Sequence, residues 1–476
     1  MPEVFRTDNP LLYTQLDGVI VTEKNPPPTV VSAGANNCVF IGQFERGPEN
    51  EPAYLSSISE LQSLYGSNQA YSGNKALRLK RWSNIYVTRA VASGAAQASK
   101  SFDADKLTVK AKWKGKYGNN IKITIAQGTE AGTQKLTASE GDIVETFDNI
   151  EFAGKNNDEL TEIFQSSTLI LVSDAHATID PTNAADEALA GGLDGAISAN
   201  DYKEAIEASN VNVAGKVFFT DDQSAGVKAN LANFVKTEQN GQCVVGPESL
   251  DTSVADAITD YDLVSDQQGR VLYAYNPIKL NVEGVITEES PVFMLASILS
   301  NTAPHISPAA ASVTAYTETA VGVKYNLSRA NFILLKRAGI LGFEDDPDLG
   351  VKPVSADTPN PEMSVVRRRM SDFYINSITR YLKNYTNVPI TAINKHSIVA
   401  AIHSFDETLQ SNGIVPSNDE VREGLAFKVT TDGVTSDAEE RQGILKIRLE
   451  RRLYAAARYL VLQTTISEKA VIVEEQ

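Results

Sequence analysis

Short apolar runs separated by glycine, proline and polar turns organise the first hundred residues. Cys38 to Phe44 is a mainly apolar run that a Gly-Pro pair soon ends, which is typical of a buried strand. Ser57 stands three residues before Glu60, a capping-box spacing, and apolar residues then recur at helical spacing. Ile85 to Val91 alternates as a strand. The stretch therefore predicts strand, helix, helix, strand, with both strands side by side in one sheet.

The pattern changes twice in the middle of the chain. Residues 101–200 hold short alternating runs, such as Ile121 to Ile125, between Gly- and Asn-rich turns, which predicts a β-rich domain. In residues 201–303, apolar strands such as Val217 to Phe219 alternate with longer helical segments. That alternation predicts βαβ units and a largely parallel sheet.

The C-terminal third begins with two predicted helices. The first turns Val366, Met370 and Tyr374 to one face and places Arg368 and Asp372 opposite, and the second runs from residue 394 to about 410. The last 60 residues return to strands. We favour strands at 445–450 and 459–466 over a single helix through 451–462, which three consecutive alanines would also allow.

Each end of the chain carries an apolar strand behind a spacer. The strand residues are Val19, Ile20 and Val21 at the N-terminus and Val471, Ile472 and Val473 at the C-terminus. Pro26 to Pro28 follow the first strand, hold an extended backbone and cannot continue a ladder. Each strand is either an edge strand docked on its own chain or an arm that pairs with another subunit.

Composition is that of an ordinary folded chain. The 476 residues are 42% hydrophobic and 22% charged, and the formal net charge of −17 argues against a nucleic-acid binder as a whole. Cys38 and Cys243 are far apart, so we expect two buried thiols in a reducing compartment. The N-terminus has no signal core and no apolar run reaches transmembrane length, which predicts a soluble cytoplasmic protein.

The acidic charge is concentrated in the middle of the chain. Residues 101–350 hold 36 acidic and 18 basic side chains, whereas the flanking segments from residue 26 onward are slightly basic. The asymmetry suggests that the two ends form one structure and the middle another. Separate domains of different composition would give the same asymmetry.

No motif of catalysis or of cofactor binding stands out. The chain has no GxSxG, HExxH, CxxC or phosphate-binding loop, and the acidic run 344–348 lacks calcium-loop spacing. His396, His403 and Glu407 share a predicted helix face, but the histidines are two turns apart, so exposed histidines are the simpler interpretation. We therefore predict no enzyme, no cofactor and no metal.

Three segments carry a resemblance to a known family. FIGQFERGP at Phe40 to Pro48, GKYGNNIKITI at Gly115 to Ile125 and LAGGLDG at Leu189 to Gly195 follow one another as in contractile tail sheath proteins. Those proteins form the outer tube of contractile phage tails and related injection machines. The chain departs from the family at Ala455 to Ala457, where family members often carry proline.

The resemblance implies an α/β and α+β multidomain chain. Its expected parts are an N-terminal arm (1–25), a mixed-sheet core from both ends of the chain (26–100 with 346–466), a β-rich insertion (101–200), an α/β insertion (201–345) and a C-terminal arm strand (467–476).

The resemblance also implies a structural role. The subunit would polymerise helically in six-fold rings around an inner tail tube and contract to drive the tube through a cell envelope. Its partners would be other copies of itself, the tube, and baseplate and terminator proteins, in a virion tail assembled in the bacterial cytoplasm, without nucleic-acid binding or membrane insertion. Basic residues of the core could face the tube: Lys80, Arg81, Arg367 and Arg369. The alternative is a soluble acidic hydrolase or binding protein with an α/β domain.

Overall fold

The computed structural model describes residues 3–6, 18–21, 37–78, 84–102, 107–174, 181–239, 241–310, 320–421, 424–431 and 433–454. The chain divides into two compact units, one of residues 32–377 and one of residues 1–31 with 378–476.

The strands, in chain order, are β1 (Glu3–Arg6), β2 (Gly18–Val21), β3 (Asn37–Gly42), β4 (Ala53–Leu55), β5 (Ile85–Arg89), β6 (Ser99–Phe102), β7 (Leu107–Ala111), β8 (Lys122–Gln127), β9 (Gln134–Glu140), β10 (Ile143–Ile150), β11 (Ile170–Asp174), β12 (Ala184–Ala188), β13 (Lys216–Thr220), β14 (Gln242–Val245), β15 (Val271–Tyr275), β16 (Ile278–Val282), β17 (Val285–Glu289), β18 (Ala320–Val323), β19 (Ile340–Asp346), β20 (Gly350–Pro353), β21 (Phe427–Thr430) and β22 (Arg448–Arg451). The helices are α1 (Ile58–Tyr65), α2 (Ser72–Arg78), α3 (Asn157–Ile163), α4 (Ala199–Ala208), α5 (Ala225–Glu238), α6 (Val254–Asp262), α7 (Pro291–Asn301), α8 (Arg329–Ala338), α9 (Val365–Leu382), α10 (Ala392–Ser411) and α11 (Asp437–Arg441).

An eight-stranded sheet forms the centre of the larger unit. Its order is β20-β19-β15-β14-β13-β3-β5-β4, and all neighbours are parallel except the two edge strands. The inner strands are mostly apolar and almost entirely buried because both faces are covered, as in other parallel sheets. Phe40, Phe219 and Phe293 pack on one face, and Tyr202 and Tyr273 on the other.

This sheet corrects the predicted domain boundaries. The resemblance implies that β3 and β5 belong to a core shared with the C-terminal part, and that β13, β14 and β15 belong to a separate insertion. β13 pairs in parallel with β3, from Lys216 opposite Asn37 to Thr220 opposite Ile41, and this ladder joins the two groups of strands in one sheet. Strand pairing follows backbone geometry and apolar faces, and the charge of the flanking segments does not determine it. The charge asymmetry therefore does not mark a structural boundary here.

Residues 99–188 build two smaller sheets with a core of their own. Their strand orders are β11-β7-β6 and β10-β9-β8-β12, and the alternating residues Ile121, Ile123 and Ile125 are fully buried between them. The chain enters and leaves this β-rich segment side by side, since bridges join Ala96 to Leu193 and Ser99 to Ala190.

The side chain of Arg89 fastens the β-rich segment to the large sheet. Its guanidinium is buried and donates to the carbonyls of Phe44 (3.1 Å), Gly47 (3.2 Å) and Lys114 (2.8 Å). The first two carbonyls follow β3, and the third belongs to the β-rich segment. A rigid planar donor that bridges backbone groups of both parts opposes relative movement between them.

A buried ion cluster fastens α9 to the sheet. Arg270, the residue before β15, makes a two-pronged contact with Asp372 (3.2 and 3.3 Å), and Arg368 donates to the same carboxylate at 2.6 Å. All three side chains are at most 9% exposed. Arg368 and Asp372 therefore lie on the covered side of α9, whereas the sequence had placed them opposite the apolar face.

The smaller unit contains α10, α11, the hairpin β21–β22 and the pair β1–β2. α10 packs against β21, where the ring of His403 meets Phe427 edge to face at 5.1 Å. Arg451 of β22 and Asp406 of α10 form a buried ion pair of 2.9 Å. Helix α10 and the hairpin are therefore joined by a specific polar contact as well as by packing.

Most local predictions are confirmed. β13, α5, β14, α6, β15 and α7, the helix that ends at Gly66 and the two C-terminal helices lie where the patterns place them. α4 and the hairpin β16–β17 were not predicted. Both cysteines are free and buried. The predicted strand at 445–450 is shifted to Arg448–Arg451, and 459–466 falls outside the described residues. Within the described part of the chain, no helix has the length and apolarity to cross a membrane.

Candidate subunit-contact site

The N-terminal strand has a partner that the sequence did not reveal. β2 pairs in parallel with β1, with Val19 opposite Val4, Ile20 opposite Phe5 and Val21 opposite Arg6. Of the two alternatives for β2, an edge strand docked on its own chain or an arm that pairs with another subunit, the structure shows pairing within the chain. Neither strand pairs with a third among the residues described. A two-stranded sheet is only marginally stable alone, and its outer edges can accept another strand.

A second open pair lies in the same unit. β21 and β22 are antiparallel, with Phe427 opposite Arg451 and Thr430 opposite Arg448. In the described ranges, neither strand has a further ladder partner. α10 covers one face, so the outer edges of the hairpin remain as backbone donors and acceptors for an added strand.

The turn that leads into β22 is held by a carboxylate. Ser436 begins α11 and forms a reciprocal capping box with Glu439. Lys446 also donates to Glu439, across the loop, and this bond together with the Ser436 contacts lowers the pKa of Glu439 to about 2. α11 itself was not anticipated from the sequence, although Ser436 with Glu439 has the same spacing as Ser57 with Glu60.

This carboxylate gives a pH prediction. Because the pKa of Glu439 is lower in the folded than in the unfolded chain, its contribution is present above about pH 4.5 and lost as the pH falls toward 2. Unfolding measured by circular dichroism at a series of acidic pH values should show this loss of stability in the wild type. Glu439→Gln should make the free energy of unfolding depend less steeply on pH. A Glu407→Gln control changes an exposed carboxylate of α10. An equal pH dependence of the free energy of unfolding in the wild type and in Glu439→Gln would contradict the lowered pKa of Glu439.

The predicted tube-facing arginines separate into an exposed and a buried one. Arg367 is exposed and donates to the carbonyl of Glu362. Arg369 is only 6% exposed, and its guanidinium donates to the carbonyls of Leu299 (2.7 Å) and Thr302 (2.5 Å), where α7 ends. A cation at a helix C-terminus satisfies its free carbonyls. Arg369 therefore stabilises the fold, and the prediction that it faces a partner is wrong.

The other predicted site residues lie outside the described residues. These are Lys80 and Arg81, after α2, and Val471, Ile472 and Val473 of the C-terminal strand.

The place where α/β proteins commonly bind cofactors is filled by side chains of the chain. Between β3 and β13 the strand order reverses direction, and ligands of doubly wound sheets bind at the carboxyl ends there. Asp221 lies at this point and accepts from the Tyr202 hydroxyl (2.6 Å), the backbone N–H of Gln43 (2.8 Å) and the Ser72 hydroxyl. Burial raises the pKa of Asp221. Its oxygens are therefore engaged by three segments of its own chain.

The two histidines of α10 do not share a cluster of metal ligands in the described part of the chain. His403 contacts the Phe427 ring, and the described residues include no group of three His, Cys, Asp or Glu placed to hold a metal ion.

Comparisons with known proteins give the same architecture over most of the chain. Neither a family model nor a curated protein sequence matches. Among solved structures, the sheath tail protein of Desulfitobacterium hafniense is similar at 16% identity and a TM-score of 0.62, covering 87% of this chain and 94% of that one. The sheath tail protein of Listeria innocua is similar at 15% identity and a TM-score of 0.63, covering 85% and 90%. The contracted helical sheath of the anti-feeding prophage is similar at 13% identity and a TM-score of 0.57, covering 95% and 99%.

Proposed function

We propose that this chain, whose fold is that of contractile tail sheath proteins, is the structural subunit of a contractile sheath. One observation carries the proposal: the likeness extends over 85% to 95% of the chain and nearly the full length of three sheath proteins. A match of that extent includes both the α/β unit and the C-terminal segment. It is a match of fold, and the activity follows from it by inference.

The polymer we propose is a helical tube of identical subunits in stacked six-fold rings around an inner tail tube. Head-to-tail contacts that do not close generate such a helix. Strands at the chain ends, Val19 to Val21 and Val471 to Val473, add to open edges of neighbouring subunits and give main-chain hydrogen bonds between them. The open edges of β21–β22 and β1–β2 support this arrangement.

Contraction is then a switch between two packings of the same subunits. Strand exchange keeps neighbours tethered while their other contacts change. The inner tube, baseplate and terminator proteins complete the partners, and the tail, assembled in the bacterial cytoplasm, is the proposed location. We propose no enzymatic step, since Asp221 is engaged by its own chain and contraction draws on energy stored at assembly.

Electron microscopy of the purified protein tests the proposal. Long tubes with a six-fold cross-section are the expected result. The competing class is a soluble acidic hydrolase or binding protein with an α/β domain. Monodisperse particles at every concentration, together with turnover of an ester or phosphoester substrate panel, would support that class and contradict the sheath.

Arg367 gives a prediction about attachment to the inner tube. Exposed ion pairs contribute about 0.2–1 kcal/mol each, so tube contacts through Arg367, or through Lys80 with Arg81, are individually weak and are screened by salt. Raising the ionic strength should therefore release the tube before it breaks sheath-to-sheath strand pairing. Arg367→Glu, and separately Lys80→Glu with Arg81→Glu, should lower the salt concentration at which extended tails survive.

Arg337→Glu is the matched control, since it reverses one exposed charge on α8. If the survival of extended tails depends neither on salt nor on the charge reversals at residues 80, 81 and 367, an electrostatic contact with the tube through these residues is excluded.

A further inference from the structure

A small cavity lies between α9 and the amino ends of the neighbouring strands β13 and β14. The space that the centre of a water molecule can occupy there is about 20 Å³. One water molecule needs roughly 10–15 Å³ by this measure, so the cavity has room for a water but not for an organic ligand. Its walls include the polar side chains of Lys216, Gln242, Arg369 and Asp372.

One hydrogen-bond acceptor of this wall is buried without a partner. Gln242, the first residue of β14, is 2% exposed. Its Nε2 donates to the carbonyl of Gly269 at 2.7 Å, and because a carbonyl can only accept, this bond fixes the orientation of the amide. Oε1 of Gln242 then has no hydrogen-bond partner within the ranges that the structure describes. Buried polar groups without a protein partner usually bond to ordered water.

The Asp372 carboxylate, on the same wall, can accept one more hydrogen bond. Its Oδ1 accepts from both Arg270 and Arg368, and its Oδ2 accepts from Arg270. A carboxylate offers about four lone-pair positions, two on each oxygen, so one position on Oδ2 is left. The cavity therefore offers two acceptors, one from β14 and one from α9.

The charges of the wall favour a neutral occupant. Two acceptor oxygens disfavour an anion, whereas the buried cations Lys216 and Arg369 disfavour a metal ion. A water molecule can donate to both acceptors and turn its oxygen toward the cations, so it matches both kinds of group.

We propose that this cavity binds one water molecule, which donates to Oε1 of Gln242 and to Oδ2 of Asp372. The water links the start of β14 to α9, beside the contact between Arg270 and Asp372. The proposal does not depend on the proposed function, since it concerns the central sheet and one helix of a single chain.

A crystal structure of the full-length protein, at a resolution that shows ordered water, tests the proposal. The expected result is a density peak within about 2.5–3.0 Å of both oxygens. Crystals grown with bromide in place of chloride should give no anomalous peak there. A map that shows other buried waters but none at this place would overturn the proposal, and so would a bromide peak in the cavity.

Urea unfolding of paired variants gives a second test. Gln242→Met and Asp372→Ala each remove one end of the proposed bridge, so the double variant should lose less stability than the sum of the two single losses. Gln223→Met is the matched control. Gln223 is also a buried glutamine, but it bonds to Thr220 and Gly246, and its loss should add to that of Asp372→Ala.

Strictly additive losses for Gln242→Met with Asp372→Ala would contradict a water bridge between these residues. If Gln242→Met does not fold, the wild-type density alone decides.

Discussion

Deletion of residues 1–22 is expected to abolish tube formation while leaving a folded monomer. The deleted segment contains β1 and β2, and no strand of the eight-stranded sheet or of the hairpin β21–β22 pairs with them. The cores of both groups of strands should therefore persist. Each subunit would lose the strand that we propose to pair with its neighbour, and electron microscopy together with sedimentation measures the loss directly.

A point variant makes this test sharper. Ile20→Pro removes one backbone donor and restricts one φ angle within β2, and proline is not accepted in a paired strand interior. Ile20→Thr keeps a β-branched residue at the same position and is the matched control. Tubes from Ile20→Thr but not from Ile20→Pro would identify main-chain pairing as the essential contact. Normal tubes from the deletion variant would show that the N-terminal arm is dispensable.

Asp372→Ala is expected to destabilise the larger unit by about 3–5 kcal/mol, because it leaves the buried cations Arg270 and Arg368 without their shared carboxylate. Urea unfolding of the monomer, followed by tryptophan fluorescence, measures the change, since both tryptophans belong to the unit of residues 32–377. The midpoint should fall strongly.

Two further variants control this prediction. Glu362→Ala removes an exposed carboxylate shortly before α9 and should change the free energy of unfolding by less than about 0.5 kcal/mol. Replacing Arg270, Arg368 and Asp372 together by Met, Met and Leu should recover most of the loss, as a buried ion cluster is often replaceable by apolar packing. A small effect of Asp372→Ala alone would mean that water or local movement compensates the two arginines.

Local signals in the sequence predicted the elements well. Ser253 and Ser328 cap the helices that follow them, and Pro291 opens α7, so the boundaries of these helices follow from short-range chemistry. Strand partners depend on residues far apart. The pairing of β3 with β13 joins positions nearly 180 residues apart, and no short-range pattern specifies it. The domain boundaries were therefore wrong where the strands were right.

The burial of Arg368 and Arg369 did have a signal in the sequence. Val365, Arg368, Arg369 and Asp372 follow the spacing i, i+3, i+4 and i+7, which places them on one helix face with a buried valine. The predictions that Arg368 lies opposite the apolar face and that Arg369 faces the tube did not take that periodicity into account. The partner of β2 had no comparable signal, because β1 is only four residues long and lacks a turn or cap that would mark it.

Because the chain enters and leaves the β-rich segment side by side, this segment can be removed or replaced as a unit. Ala96 and Leu193 are bridge partners, so a gene that loses or replaces the residues between them needs only a short joint to close the chain. The parent sheet would lose one of the carbonyls that hold Arg89, that of Lys114, and would keep those of Phe44 and Gly47. Recombination at this point can therefore replace the β-rich segment while the strands of the eight-stranded sheet stay the same, and a foreign domain whose termini lie close together is suited to fusion there.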